Sequence, residues 1–190
     1  GKVAGTNMRI LAIETSCDET ALSIVETSDG KVFKLLAHEV ASQIDVHKEW
    51  GGVVPMLAKR EHLANLPLML EKINPSGIDL IAVTQGPGLE PALWTGINFA
   101  KELAAKWNVP IVATDHMHGH IVSAMLTRMV NGKWQMANVE YPAIALLISG
   151  GHTELILMQS VDDWEIVGQT LDDAVGEAFD KAARILGLPY

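Results

Sequence analysis

Short apolar runs separated by polar turns fill the first forty positions, and longer stretches with an apolar residue at every third or fourth position follow them. Residues 9–15, Arg-Ile-Leu-Ala-Ile-Glu-Thr, predict a buried strand, residues 16–20 a polar turn and residues 21–26 a second strand. Asp29-Gly30 predicts a hairpin turn into a third strand over residues 32–40. Trp50-Gly51-Gly52 breaks the pattern, and residues 55–73 then read as a helix.

Residues 80–84 and 110–114 predict two further strands, each followed by a helix. The first of these helices places Leu93, Ile97, Ala100, Ala104 and Trp107 on one face, with Pro91 in its first turn; the second spans residues 116–129. Beyond the polar stretch around Asn131-Gly132-Lys133, residues 143–148 and 152–158 predict a strand pair joined by Ser149-Gly150-Gly151, and residues 172–186 an amphipathic helix. Three antiparallel strands continued by strand–helix units imply an α/β sheet with a parallel wing. The order β-β-β-α-β-α-β-α and then a second strand-turn-strand implies two related lobes with a nucleotide between them. On this reading residues 8–130 form a complete first lobe and residues 140–190 the start of a second, truncated one. Residues 1–7, small and polar ahead of Met8, read as a tag remnant, and the stop at Leu188-Pro189-Tyr190 directly after a helix reads as a cut in a longer protein.

Composition narrows the class. With 48% apolar and 19% charged residues over 190 positions, the chain is globular and long enough for one domain plus the beginning of another. A net charge of −9 argues against a broad basic surface, so phosphate contacts to any nucleic acid must come largely from elsewhere, such as a partner subunit. The single cysteine, Cys17, excludes an intramolecular disulfide, and no apolar run is long enough to span a bilayer, which together predict a cytoplasmic protein.

Three of the seven histidines crowd into residues 116–120. On a helix His116 and His120 share a face and suit a common metal, while His118 points about half a turn away; solvated histidines of a first helical turn explain the same spacing. Met117 stands where a zinc-protease HExxH motif needs its glutamate. Ser149-Gly150-Gly151-His152-Thr153 is a hairpin tip whose glycines let backbone approach a phosphate, and an ordinary Gly-Gly turn accounts for it as well. The turn at residues 16–20 is acidic and suits a divalent ion such as magnesium, or a solvated loop. In the last helix Val175, Ala178, Phe179, Ala182, Ala183 and Leu186 form a stripe assigned to packing. Asp173, Glu177, Asp180 and Arg184 form a polar face, either solvated or lining a cleft where Asp180 meets ribose hydroxyls. On the truncated reading the neighbours of the apolar stripe, with its Val175, Phe179 and Leu186, are missing, which favours self-association of the chain. Gln85-Gly86-Pro87-Gly88 reads as a strand-to-helix loop, and Cys17, beside carboxylates, as an inert thiol of raised pKa.

Ile13-Glu14-Thr15-Ser16-Cys17-Asp18-Glu19-Thr20, Gly51-Gly52-Val53-Val54-Pro55, Gln85-Gly86-Pro87-Gly88-Leu89, His116-Met117-His118-Gly119-His120, Ser149-Gly150-Gly151-His152-Thr153 and Gly176-Glu177-Ala178-Phe179-Asp180-Lys181 resemble, in order, the motifs of the tRNA threonylcarbamoyl-adenosine transferase family. The family was once described as a sialoglycoprotein endopeptidase. The resemblance implies the actin-like ATPase superfold, with its ribonuclease H-like lobes, and a reaction in which threonylcarbamoyl-adenylate gives its acyl group to the adenosine 3′ of the anticodon, releasing AMP. It also implies helper subunits. His116 and His120 correspond to two ligands of an iron or zinc ion that holds the threonyl part of the donor. Leu147, Ile148, Ser149, Gly150 and Gly151 correspond to the loop that grips the adenylate, and Asp180 to a ribose contact. The family's third metal ligand, an aspartate, lies beyond Tyr190, and Glu90-Pro91 replaces the small residues usual in relatives. No residue is assigned to catalysis proper. Competing readings are a non-catalytic actin-like partner subunit, a metalloprotease and a small-molecule kinase of the same superfold.

Overall fold

The computed structural model describes residues 7–30, 32–130, 133–137 and 139–188. Of residues 1–7, read as a tag remnant, only Asn7 falls among the described residues, and Asn131-Gly132 and Pro189-Tyr190 lie outside them. The chain divides into two compact units, one of residues 1–119 and 126–136, the other of residues 120–125 and 137–190.

The first unit is built on β1 (Met8–Glu14), β2 (Glu19–Thr27), β3 (Val32–Ser42), β4 (Leu80–Gly86) and β5 (Ile111–Asp115), in the spatial order β5-β4-β1-β2-β3. β2 runs antiparallel to both β1 and β3, whereas β4 lies parallel to β1 and β5 parallel to β4. Strict alternation explains why these segments are strands with one face covered. Leu11 and Ile13 of β1, Leu22 and Ile24 of β2, and Ile81 and Val83 of β4 are buried on a common face. Against them lie Leu66 and Met69 of α2 (Pro55–Ile73) and Ala100 and Leu103 of α3 (Glu90–Trp107), which completes the core. Both helices begin with proline in the first turn and end on an asparagine in the left-handed conformation, Asn74 (φ 45°) and Asn108 (φ 52°), so sequence-local signals set their limits. Gly96 lets α3 approach the sheet: a β-carbon there would stand 2.4 Å from Thr15 Oγ1.

Three features of this unit depart from the sequence reading. A short helix, α1 (Ile44–Lys48), follows β3. The helix expected over residues 116–129 is α4 (His116–Met125), and the chain then enters β6 (Leu126–Val130). β6 pairs with β7 (Lys133–Met136), which adds to the edge of β3 through Val32↔Gln135 and Phe33↔Trp134. An open sheet edge therefore overrides the helical pattern of residues 126–129, which are within the strand repertoire as well.

The second unit contains β8 (Ala143–Ile148), β9 (Thr153–Met158) and β10 (Trp164–Gln169), an antiparallel sheet in the order β10-β9-β8, followed by α5 (Val175–Ile185). β8 and β9 are the expected pair; β10 was hidden behind the polar turn at residues 159–163. Helix α5 starts three residues later than the pattern predicts, since Ala174 is extended. No residue of α5 is buried, and Phe179 is 72% and Leu186, just past its end, 71% exposed, so the apolar stripe finds no covering neighbour among the described residues, as expected for a truncated second lobe.

Candidate functional site

The carboxyl ends of β1, β4 and β5 converge in the first unit, the place where parallel α/β sheets hold ligands. The parallel register Ile13↔Val83 brings Glu14 beside Thr84 one residue further on. Glu14 Oε2 accepts the Thr84 hydroxyl at 2.5 Å, Glu14 Oε1 accepts the Ser16 amide at 2.5 Å, and His116 Nδ1 approaches Oε2 at 3.3 Å. Burial alone would raise the Glu14 pKa, but the bonds from His116, Ser16 and Thr84 outweigh it and hold the carboxyl at about 2. An ionised carboxylate only accepts, so the His116 proton on this side is on Nδ1, which also lies 3.1 Å from Ser16 Oγ. The bond to Glu14 raises the His116 pKa against the opposing effect of burial.

Asp115 places this histidine. Its Oδ1 accepts the His118 amide at 2.9 Å, an N-cap bond that starts α4 at His116. His120 is one turn later and exposed; the boundary between the two units falls between the pair. Among the described residues no group of three or more His, Cys, Asp or Glu side chains is poised around one metal position. Cys17 is pushed up to about 12 by burial and then by the Asp18 charge, which matches the inert thiol expected from sequence.

In the second unit Leu147 is buried at the end of β8, Ile148 is 53% exposed, and Ser149 begins the hairpin tip. The tip is closed by Ser149 N–H to the His152 carbonyl at 2.8 Å and His152 N–H to Ser149 Oγ at 3.0 Å. Gly150 and Gly151 are exposed and have open space where a side chain would stand. The N-terminus of α5 lies against the same tip: Gly176 N–H points to the Ser149 carbonyl at 3.3 Å and Val175 N–H donates to Thr153 Oγ1 at 2.9 Å. Asp180 is exposed on α5. A β-carbon on Gly176 would lie 2.7 Å from Gly150 Cα and 2.8 Å from the Ser149 carbonyl oxygen, both backbone atoms. Gly176→Ala is therefore expected to push tip and helix apart and destabilise this unit by about 1–3 kcal/mol. Urea denaturation of the chain checks this, and an unchanged midpoint would mean that helix and tip separate at no cost.

Sequence reasoning singled out His116 and the glycine tip but missed Thr84 and Ser16, and gave Glu14 no role. Their signal was a polar residue ending each of two adjacent apolar strands, visible only once the register of β1 on β4 is known.

One reversed strand in a five-strand order of β5-β4-β1-β2-β3, with a polar cluster at the carboxyl ends, defines a ribonuclease H-like α/β protein of the actin-like class. The family model for TsaD, tRNA N6-adenosine threonylcarbamoyltransferase, matches residues 34–190, and the chain belongs to that family. It is 49% identical over 190 residues to the tRNA N6-adenosine threonylcarbamoyltransferase of Dichelobacter nodosus, covering 97% of this chain and 52% of the relative. With the Bacillus subtilis protein of that name it shares 46% over 190 residues, covering 97% and 51%. The chain thus spans about half the length of the curated relatives it matches. Among solved structures it resembles YeaZ from Pseudomonas aeruginosa at TM-score 0.47 and 16% identity, covering 86% of this chain and 66% of that one.

Proposed function

We propose that this chain is the N-terminal half of an enzyme that transfers the threonylcarbamoyl group of threonylcarbamoyl-adenylate to the adenosine 3′ of the tRNA anticodon. The family match over residues 34–190 carries the reading. Residues 8–130 are taken as the first lobe and residues 140–190 as the opening of the second. In the reaction the adenosine amine attacks the donor's carbonyl carbon, a carbon–nitrogen bond forms, the bond from that carbon to the phosphate oxygen breaks, and AMP leaves as the amine loses a proton. The tRNA supplies the nucleophile, so the protein's part is to position the donor and stabilise charge. Leu147, Ile148, Ser149, Gly150 and Gly151 are assigned to the adenylate: the two glycines put no side chain in the way of its phosphate. Asp180 is assigned to the ribose.

His116 and His120 are assigned to an iron or zinc ion. The chemistry of the donor set fits such an ion in one specific respect. A ligating histidine usually gives its second ring N–H to a carboxylate, as His116 Nδ1 does to Glu14, so His116 would face an ion through Nε2. The bound ion would hold the threonyl part of the donor. The acidic turn at residues 16–20 is the candidate place for a magnesium ion, with no individual role in holding it assigned to Glu14, Asp18 or Glu19. The protein is placed in the cytoplasm, in keeping with a tRNA substrate; among the described residues no helix is long and apolar enough to cross a membrane.

With a net charge of −9 the chain is poorly suited to hold tRNA alone, and helper subunits are expected to supply phosphate contacts. Full-length protein incubated with tRNA and the adenylate, then digested to nucleosides, tests both points. Threonylcarbamoyl-adenosine is expected only when helper proteins are present. Robust turnover by the isolated full-length protein would remove the helper requirement, while cleaved peptide, a phosphorylated small molecule or no product with helpers would favour the protease, kinase or non-catalytic readings.

A further inference from the structure

Beneath the acidic turn lies a buried polar chain. His47, His62 and Thr20 are 0% exposed and Gln43 1%. The Val54 amide lies 3.2 Å from His47 Nδ1 and can only donate, so that nitrogen is unprotonated. The His47 ring proton is then on Nε2, which donates to Gln43 Oε1 at 3.0 Å. This fixes the amide of Gln43: its Nε2 donates to His62 Nδ1 at 3.2 Å, and the Thr20 hydroxyl donates to the same nitrogen at 2.7 Å. The His62 proton is therefore on Nε2, which donates to the Cys17 carbonyl at 3.0 Å. One backbone hydrogen sets the direction of every link, and both imidazoles are neutral.

The chain ends on the turn that borders the candidate site. Three successive carbonyls of that turn are held from three separate places in the chain: Ser16 by the Leu89 backbone N–H at 2.7 Å, Cys17 by His62 Nε2 at 3.0 Å and Asp18 by the Gln43 backbone N–H at 2.9 Å. Glu14 and Ser16, which meet His116, belong to the same stretch. We propose that His62 is a positioning residue that clamps the turn at residues 16–19, and with it Ser16 against His116, while Gln43 and His47 fix its tautomer. What the turn does for the donor rests on the transferase reading, but the clamp does not.

Burial lowers the His62 pKa, opposed by the bond to the Cys17 carbonyl and the charges of Glu14 and Asp18. A depressed folded-state value means that the associated stability is complete above the ordinary histidine value and is lost as pH falls through the lower, folded one. Acid is thus expected to open the clamp.

The test needs neither tRNA nor donor, so it can fail while the transferase reading stands, and the reverse. Nitrogen-15 NMR of the chain is expected to show both His47 and His62 protonated at Nε2; a proton on Nδ1 of either ring would overturn the clamp. Hydrogen exchange reads its effect. His62→Gln keeps an acceptor for Thr20 and a donor for Cys17, and is expected to leave exchange over residues 14–20 within about twofold. His62→Leu is expected to speed it on the order of tenfold while residues 80–85 stay protected. Equal loss in both segments, or as much loss in His62→Gln as in His62→Leu, would reduce His62 to core packing. If His62→Leu does not fold, Gln43→Met cuts the chain one link earlier and is expected to loosen the same turn; unchanged exchange there contradicts the proposal. The midpoint of thermal unfolding is expected to fall with acid more steeply in the natural protein than in His62→Gln, and parallel curves would contradict the neutral ring.

Discussion

Replacing His116 or His120 with alanine is expected to strip most of the bound metal from the full-length protein, whereas His118→Ala leaves it in place. The three histidines lie in the first turns of one helix, whose start the Asp115 cap fixes at His116. Residues four apart on a helix stack on one face, and residues two apart do not. The first and third histidines are therefore the pair proposed to share an ion. Losing a ligand costs more than losing the group that orients it, so affinity is expected to fall on the order of a hundredfold or more in each of the two variants. Metal content after dialysis and a competitive chelator titration read the loss. Equal loss in all three variants would show that the histidines do not act as an i, i+4 pair.

Glu14→Ala is the second large effect expected. Its carboxylate takes the Thr84 hydroxyl, the Ser16 amide and the His116 ring proton together, and each loses its acceptor when the side chain is removed. Orienting partners of metal ligands typically carry about 10- to 100-fold of affinity, and a drop in that range is expected here, with His118→Ala as the unaffected control. Glu14→Gln keeps the acceptor for one neighbour and is expected to fall between the two. Unaltered metal affinity in Glu14→Ala, with the fold intact by circular dichroism, would mean that His116 is oriented by other contacts.

How far the molecule can be read from its sequence depends on what sets each element. Helix α2 is legible to its last residue because Pro55 and Asn74 punctuate it locally. Helix α4 is not: residues 126–129 continue an acceptable helical pattern, and only the open edge of β3 decides for a strand. The same division holds in the site. His116, His120 and the Ser149–Gly151 tip announce themselves by composition and spacing, as do the glycines. Thr84 and Gln43 are ordinary polar residues until parallel pairing sets one beside Glu14 and burial sets the other between two histidines. The stripe of α5 was legible as a pattern, and its exposure follows from a pattern stating what a helix can bury and not whether a neighbour is present.

The transfer itself is tested most directly by following a donor labelled in its threonyl carbon through one reaction with the full-length protein, its helpers and tRNA. The label is expected in the adenosine 3′ of the anticodon, with one AMP released for each modified nucleoside and none of the label on the protein. Label bound to the protein, or donor consumed while the tRNA stays unlabelled, would contradict direct attack by the tRNA amine and the function proposed for this chain.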